Sequence, residues 1–191
     1  MMYDLPTSVE VNGIDYKVRT DYRAVLDICT ALSDYNLDND ERVIVCLDIF
    51  YEDFESIPIS DYSEALEKCF WFINLGEEVD PNKPQKPTLV NWEQDFQYIV
   101  APINRVAGRE IRADAYMHWW TFVAYYNEIG GDCTFAQIVR IRHELKKYGR
   151  IKDKADKKWY EEHRDLVDMK VQLSDKEQEV LNMWMGVNKD G

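Results

Sequence analysis

Apolar and polar residues alternate at the start of the chain, in VEVNGIDYKV (residues 9–18), with Val9 and Val11 before Asn12-Gly13 and Ile14, Tyr16 and Val18 after it. Period two is the strand signal, and Asn-Gly accepts the two positive φ angles of a type I′ turn. The stretch therefore predicts a β-hairpin. A two-stranded ribbon is marginal alone in water, so it must lean on the helices beyond it.

From Thr20 onward the apolar period lengthens to that of a helix. A helix capped by Thr20 is predicted to about Ser33, with Tyr22, Val25, Leu26, Cys29 and Leu32 on one face. A second spans about Asp40 to Asp53 and turns Val43, Ile44, Leu47 and Phe50 inward. A third runs from about Ser60 to Gly76, with Ala65, Leu66, Cys69, Phe70 and Ile73 inward; Gly76 suits a left-handed cap. Pro81, Pro84 and Pro87 then mark an extended linker at about residues 77–90, because proline removes a donor and disfavours helix before it.

Asn91 opens a fourth helix bearing Trp92, Phe96, Ile99, Val100 and Ile103. Pro102 is expected to kink or restart it, and Gly108 to end it. A fifth helix covers about Asp114 to Ile129 and stops at Gly130-Gly131. Thr134 caps a sixth, with Phe135, Ile138, Ile141, Leu145 and Tyr148 inward and Gly149 at its end. RIKDKADKKWYEEHRD (150–165) reads as a solvated helix, and SDKE (174–177) is a capping-box pattern ahead of Val180, Leu181 and Trp184. No internal repeat or sustained heptad interrupts this order. The fold class is mostly α: a compact multi-helix domain with an N-terminal β-hairpin over residues 1–170, then a C-terminal helical tail over 171–191.

The fifth helix concentrates aromatic residues in AYMHWWTFVAYYNEI (115–129), which raises the choice between a ligand box and a core element. At 100° per residue, Tyr116, Trp119, Trp120, Val123 and Tyr126 share one side. Phe122 and Ile129 widen the apolar arc one way, and Met117 and Ala124 the other. Only His118, Thr121, Tyr125 and Glu128 form a polar strip. So broad an arc describes a helix surrounded by others, with Trp119, Trp120, Phe122 and Phe96 of the fourth helix largely buried and His118 hydrogen-bonded at the core's border.

Charge sharpens the picture. The 191 residues carry a net charge of -13 with a pI near 4.7. Generic binding to nucleic acid or anionic lipid is excluded on that balance. The charge is also segregated: residues 1–80 hold 5 basic against 19 acidic residues, a difference of -14, whereas residues 138–170 hold 11 against 7, a difference of +4. The basic stretch with its interspersed acids reads as a solvated face or a dock for an acidic protein partner. No apolar run approaches a membrane span, and MMYDLPTSVEV lacks the features of a signal peptide.

Chemical motifs are lacking. Cys29, Cys46, Cys69 and Cys133 are far apart, with no CxxC pair, and read as buried free thiols. His118, His143 and His163 lie at no metal-ligand spacing, and HELKK (143–147) ends in lysine where a zinc helix needs histidine. DYNLDNDE (34–41) lacks the glycine and terminal glutamate of a calcium loop. No GxSxG, GxGxxG or phosphate-binding loop is present. No catalytic residue, cofactor or metal is therefore expected.

The order NGIDYKVRTDYR, DIFYED, Pro/Lys linker, WEQDFQYIVAPINRVAGREI, YMHWWTFVAYYNEI, FAQIVRIR resembles a family of tailed-phage proteins over about residues 9–170. Its most specific parts are D-x-x-Y-I (Asp95, Tyr98, Ile99) and H-W-W-x-F (His118, Trp119, Trp120, Phe122). The chain departs from the pattern at Pro102 and at GREIRAD (108–114), where Y-x-I-D-L is common. The genes of this family, in long-tailed phages and prophages of Gram-positive bacteria, lie between those of the major tail protein and the tape measure protein. The resemblance implies a non-catalytic tail assembly chaperone in the host cytoplasm. Its partner would be the tape measure protein, with the major tail protein as a second candidate and a homo-oligomer compatible. A structural virion component, such as a tail completion or connector protein, is the alternative.

Overall fold

The computed structural model describes residues 4–78 and 87–170. The hairpin consists of β1 (Ser8–Val11) and β2 (Ile14–Lys17). Eight described helices come after it: α1 (Tyr22–Ser33), α2 (Asn39–Phe50), α3 (Tyr62–Ile73), α4 (Trp92–Ala107), α5 (Trp119–Asn127), α6 (Thr134–Tyr148), α7 (Lys154–Glu162) and α8 (Arg164–Val167). The architecture is mostly α with an N-terminal hairpin, as the periodicity predicts. Most of the expected linker and the helix expected after Ser174 lie outside the described residues.

Asn12 and Gly13 take φ angles of 49° and 79°, the left-handed pair that the hairpin turn requires. The register pairs Val9 with Tyr16 and Val11 with Ile14. Val9, Val11, Tyr16 and Val18 are buried against the helices, while Ile14 at the tip stays exposed. Beyond β2, Val18 bridges Tyr51. The Arg19 guanidinium donates to the carbonyls of Asp48, Ile49 and Tyr51 at 2.6, 2.9 and 2.7 Å. These carbonyls are among those left without helical partners, so α2 ends at Phe50 rather than near Asp53. Its start is set by a capping box between Asp38 and Glu41.

Several starts and stops differ from the sequence reading. Asp21, not Thr20, caps α1: its carboxylate accepts from the Arg23 and Met117 amides, both at 3.0 Å. Thr20 instead bonds the Tyr116 hydroxyl at 2.6 Å. Cys133, not Thr134, caps α6, its Sγ accepting from the Ala136 amide at 3.4 Å. The fourth helix does not restart at Pro102; α4 runs through it. Proline removes one backbone bond there, but Ile99, Val100 and Ile103 on either side are buried and hold both halves on one core.

The largest correction concerns the fifth helix, which begins at Trp119 rather than near Asp114. A 3-10 turn at Ile111–Ala113 leads into an extended stretch that pairs with the start of α1. Tyr22 N–H donates to the Met117 carbonyl at 2.9 Å and Trp119 N–H to the Thr20 carbonyl at 2.7 Å. Tyr116 is consequently not on a helix and is exposed. Backbone groups in that stretch find their partners across the fold, so the local helical pattern is overridden.

The hairpin and α1–α5 close over the main core, with Phe135 of α6, and Ile138, Ile141 and Val167 form a second, smaller cluster. Ile28 and Phe72 are fully buried although the periodicity did not single them out. Two positions expected inward are not: Ile44 on α2 is 48% exposed and Tyr148 in the last turn of α6 is 44% exposed. The buried side of α2 is made by Cys46, Leu47 and Phe50, well round the helix from Ile44.

Candidate functional site

The residues of the two sequence motifs lie at two junctions. The first is built on Asp95 and Arg142, whose side chains are 0% and 3% exposed. Asn91 caps α4 through its Oδ1, and its own amide donates to Asp95 Oδ2 at 2.9 Å. One turn into α4, Asp95 meets Arg142 of α6 in a two-pronged contact of 2.5 and 3.0 Å. The guanidinium also donates to the carbonyls of Val167 (2.6 Å), Leu89 (3.0 Å) and Leu166 (3.1 Å). All five of its N–H groups are thereby used. One side chain thus joins α4, α6, α8 and the stretch entering α4. Ile99, one turn beyond Asp95, is fully buried, and Tyr98 packs against both core clusters.

The second junction is built on His118, Trp119, Trp120 and Phe122. His118 caps α5: Nδ1 accepts from the Trp120 amide at 3.0 Å, and Nε2 lies 3.0 Å from the Pro6 carbonyl. An acceptor role at Nδ1 leaves the proton on Nε2, which donates to Pro6. The indole N–H of Trp119 donates to Ile73 O and that of Trp120 to Phe72 O, both at 2.9 Å. Two tryptophans from the start of α5 therefore satisfy carbonyls at the end of α3. Gly76, with φ 86°, turns the chain away there; a Cβ on it would stand 3.3 Å from Trp120. Phe122 stacks on Tyr22 at a centroid distance of 4.6 Å. Trp119 and Phe122 are buried, while Trp120 and Phe96 are partly buried.

Burial lowers the pKa of His118 below its ordinary value, opposed in part by the bond to Pro6. The unfolded chain takes up a proton near pH 6.5, whereas the folded one resists it to lower pH. Stability is therefore complete above about 6.5 and declines as pH falls through the window below it. His118→Asn keeps an acceptor for the cap but has no proton to bind. Its melting temperature should fall less than that of the unsubstituted chain between about pH 7.5 and 5.5. Parallel declines would show that His118 is not the source.

Three of the four thiols lack nucleophilic character. Burial pushes Cys29 up to about 12 and Cys46 up to about 11, and it raises Cys69 as well. Thiols rather than thiolates are present at neutral pH. Among the described residues, no three His, Cys, Asp or Glu side chains are grouped to hold a metal ion. A recess of about 530 Å³ lies between Cys29 and Leu32 of α1, Arg42, Trp92 and Lys146. Two of the three cations that line it are engaged with backbone: Arg42 with Asp34 O at 2.7 Å, and Lys146 with Thr88 O. Both motif junctions hold elements together.

The remaining candidate is surface. Asn12 at the hairpin tip donates to Asp61 Oδ2 at 3.4 Å, which draws the tip onto the 3-10 turn Ile59–Asp61. Ile14 and Ile59 project from these adjoining elements, 53% and 81% exposed. Glu10, Asp15 and Glu55 are exposed nearby in the chain, and Asp61, Glu64 and Glu67 line a shallow recess of about 490 Å³ with Asn12 and a single cation, Lys68. Apolar side chains among carboxylates suit a partner with a basic-flanked apolar stripe.

Residues 1–169 match the family described as Bacteriophage Gp15 protein. The chain belongs to this bacteriophage family. The match spans the hairpin and all eight described helices of this Gp15 family member. No curated protein and no solved structure matches the chain. No described helix is long and apolar enough to cross a membrane. Sequence reasoning placed Asp95 and His118 in motifs but missed Arg142. The signal was present: a lone cation among Ile138, Ile141 and Leu145 on an otherwise apolar face demands a buried anion.

Proposed function

We propose that this Gp15 family protein is a tail assembly chaperone in the host cytoplasm. It binds the tape measure protein without catalysis and keeps it soluble while tail-tube subunits polymerise round it. The observation that carries the reading is the acidic surface around the exposed Ile14 and Ile59. The sequence resemblance supplies the partner, and membership of a bacteriophage family is consistent with it. A long helical client exposes apolar stripes that self-associate before the tube covers them. An acidic partner masks such a stripe, steers basic residues beside it, and keeps complexes apart through its net charge of -13.

Co-expression is expected to raise the soluble fraction of the tape measure protein. The double variant Ile14→Asp/Ile59→Asp should lose most of that gain, since it removes the apolar contact and keeps the acidity. Binding in a pull-down should weaken with salt without vanishing, because the apolar part of the contact is not screened. No gain in soluble client, together with retention of this protein in mature virions, would overturn the chaperone and favour a structural component.

A further inference from the structure

We propose that copies of this chain dock on one another, the cationic face around Tyr148 seating against the acidic face around Ile44 of a second copy. Both residues occupy helix positions at which the sequence period calls for burial, yet they are 44% and 48% exposed. Each is an apolar centre with a rim in which one sign prevails, although Glu144, one turn before Tyr148, accepts from the Lys152 amide at 2.8 Å within the basic rim. On α2, Asp40 and Asp48 lie one turn to either side of Ile44, with Glu41 beside Asp40, and all three are exposed. At the end of α6, Lys152 Nζ stands 3.4 Å and Lys147 Nζ 5.3 Å from the centre of the Tyr148 ring, with Arg150 exposed between them in the chain.

The rim charges are not taken up in described ion pairs, although Glu41 accepts from the Asp38 amide and Lys147 and Lys152 lie against the Tyr148 ring. Among the described residues, ion pairs join other side chains and include none of Asp40, Glu41, Asp48, Lys147, Arg150 or Lys152. The two faces are therefore complementary in sign as well as alike in plan, with an apolar centre surrounded by a polar rim. This contact is separate from the Ile14 and Ile59 surface and does not depend on the chaperone reading. The net charge of -13 opposes association over long range. At about 0.15 M salt, where charges are screened beyond about 8 Å, that repulsion fades while contacts at the interface survive. Small, rim-dominated contacts give weak, concentration-dependent association.

The test is sedimentation velocity of the full chain over a concentration series at about 0.15 M salt. Two charge-reversed variants are run beside it: Asp40→Lys/Asp48→Lys, and Lys147→Glu/Lys152→Glu. The unsubstituted chain should shift to larger species as concentration rises. Each variant alone should associate at least about ten-fold more weakly, because like charges then face one another. An equimolar mixture of the two should regain association, since each variant's altered face meets the other's opposite charge. Recovery in the mixture also shows that both variants fold. A monomer at every concentration, or association that neither reversal weakens, overturns the proposal. So does a mixture that stays dissociated although each variant retains its helical circular dichroism.

Discussion

Arg142→Met is expected to cost about 3–5 kcal/mol of stability, since it leaves the buried carboxylate of Asp95 without its counter-charge. That is a large share of the roughly 5–15 kcal/mol that holds a domain folded. Asp95→Leu should cost a similar amount by stranding the guanidinium. Combining the two should recover part of the loss, because removing both partners of a buried pair is far cheaper than removing one. Recovery will stay incomplete: the Leu89, Leu166 and Val167 carbonyls and the Asn91 amide lose their partners in the double variant. Urea denaturation of the three variants measures this directly. A single-variant loss below about 1 kcal/mol, the range of surface pairs, would mean that the junction is solvated and the pair incidental.

Trp119→Ala is expected to cost about 3–5 kcal/mol, as for other large aromatic truncations in a packed interior. Trp119 is 3% exposed and also carries the bond to Ile73 O. Trp120→Ala should cost less, because that ring is only partly buried, although it makes the equivalent bond to Phe72 O. Trp119→Phe separates the two contributions: it keeps most of the packing and loses a hydrogen bond of about 1 kcal/mol. Chemical denaturation followed by circular dichroism gives the order. If Trp120→Ala proved the more damaging, depth of burial would not set the order at this junction.

These effects show where local pattern was a sound guide. Asn12-Gly13 bends the hairpin, and Gly108 and Gly149 cap α4 and α6 at positive φ, because such turns depend on a few adjacent residues. The helix α3 stops earlier than expected, at Ile73, and there Leu75 takes the left-handed position ahead of Gly76. Alternation grouped Val9, Val11, Ile14, Tyr16 and Val18, and all but Ile14 at the tip are buried. The wide arc of the aromatic stretch pointed to a core element, and Trp119 and Phe122 are buried there.

Contacts distant in sequence were not legible in the same way. Asp95 and Arg142 are 47 residues apart; nothing local to either names its partner. The stretch before Trp119 reads as helix until Thr20 and Tyr22, which lie far away in sequence, supply bonds to it. The same limit explains Ile44 and Tyr148, since period alone states which face is apolar and not how much of it a neighbour covers.

The sequence by itself determined the class of fold, the order of helices, the hairpin and the charge asymmetry, all of which rest on spacing, turn chemistry and composition. Only the tertiary structure decided that Arg142 completes Asp95, that two indoles cap α3, and that two apolar residues remain uncovered within rims of opposite charge. The physical reason is that helix and turn signals act over a few residues, whereas a buried charge or an unsatisfied carbonyl must find its partner wherever packing brings one within about 3 Å.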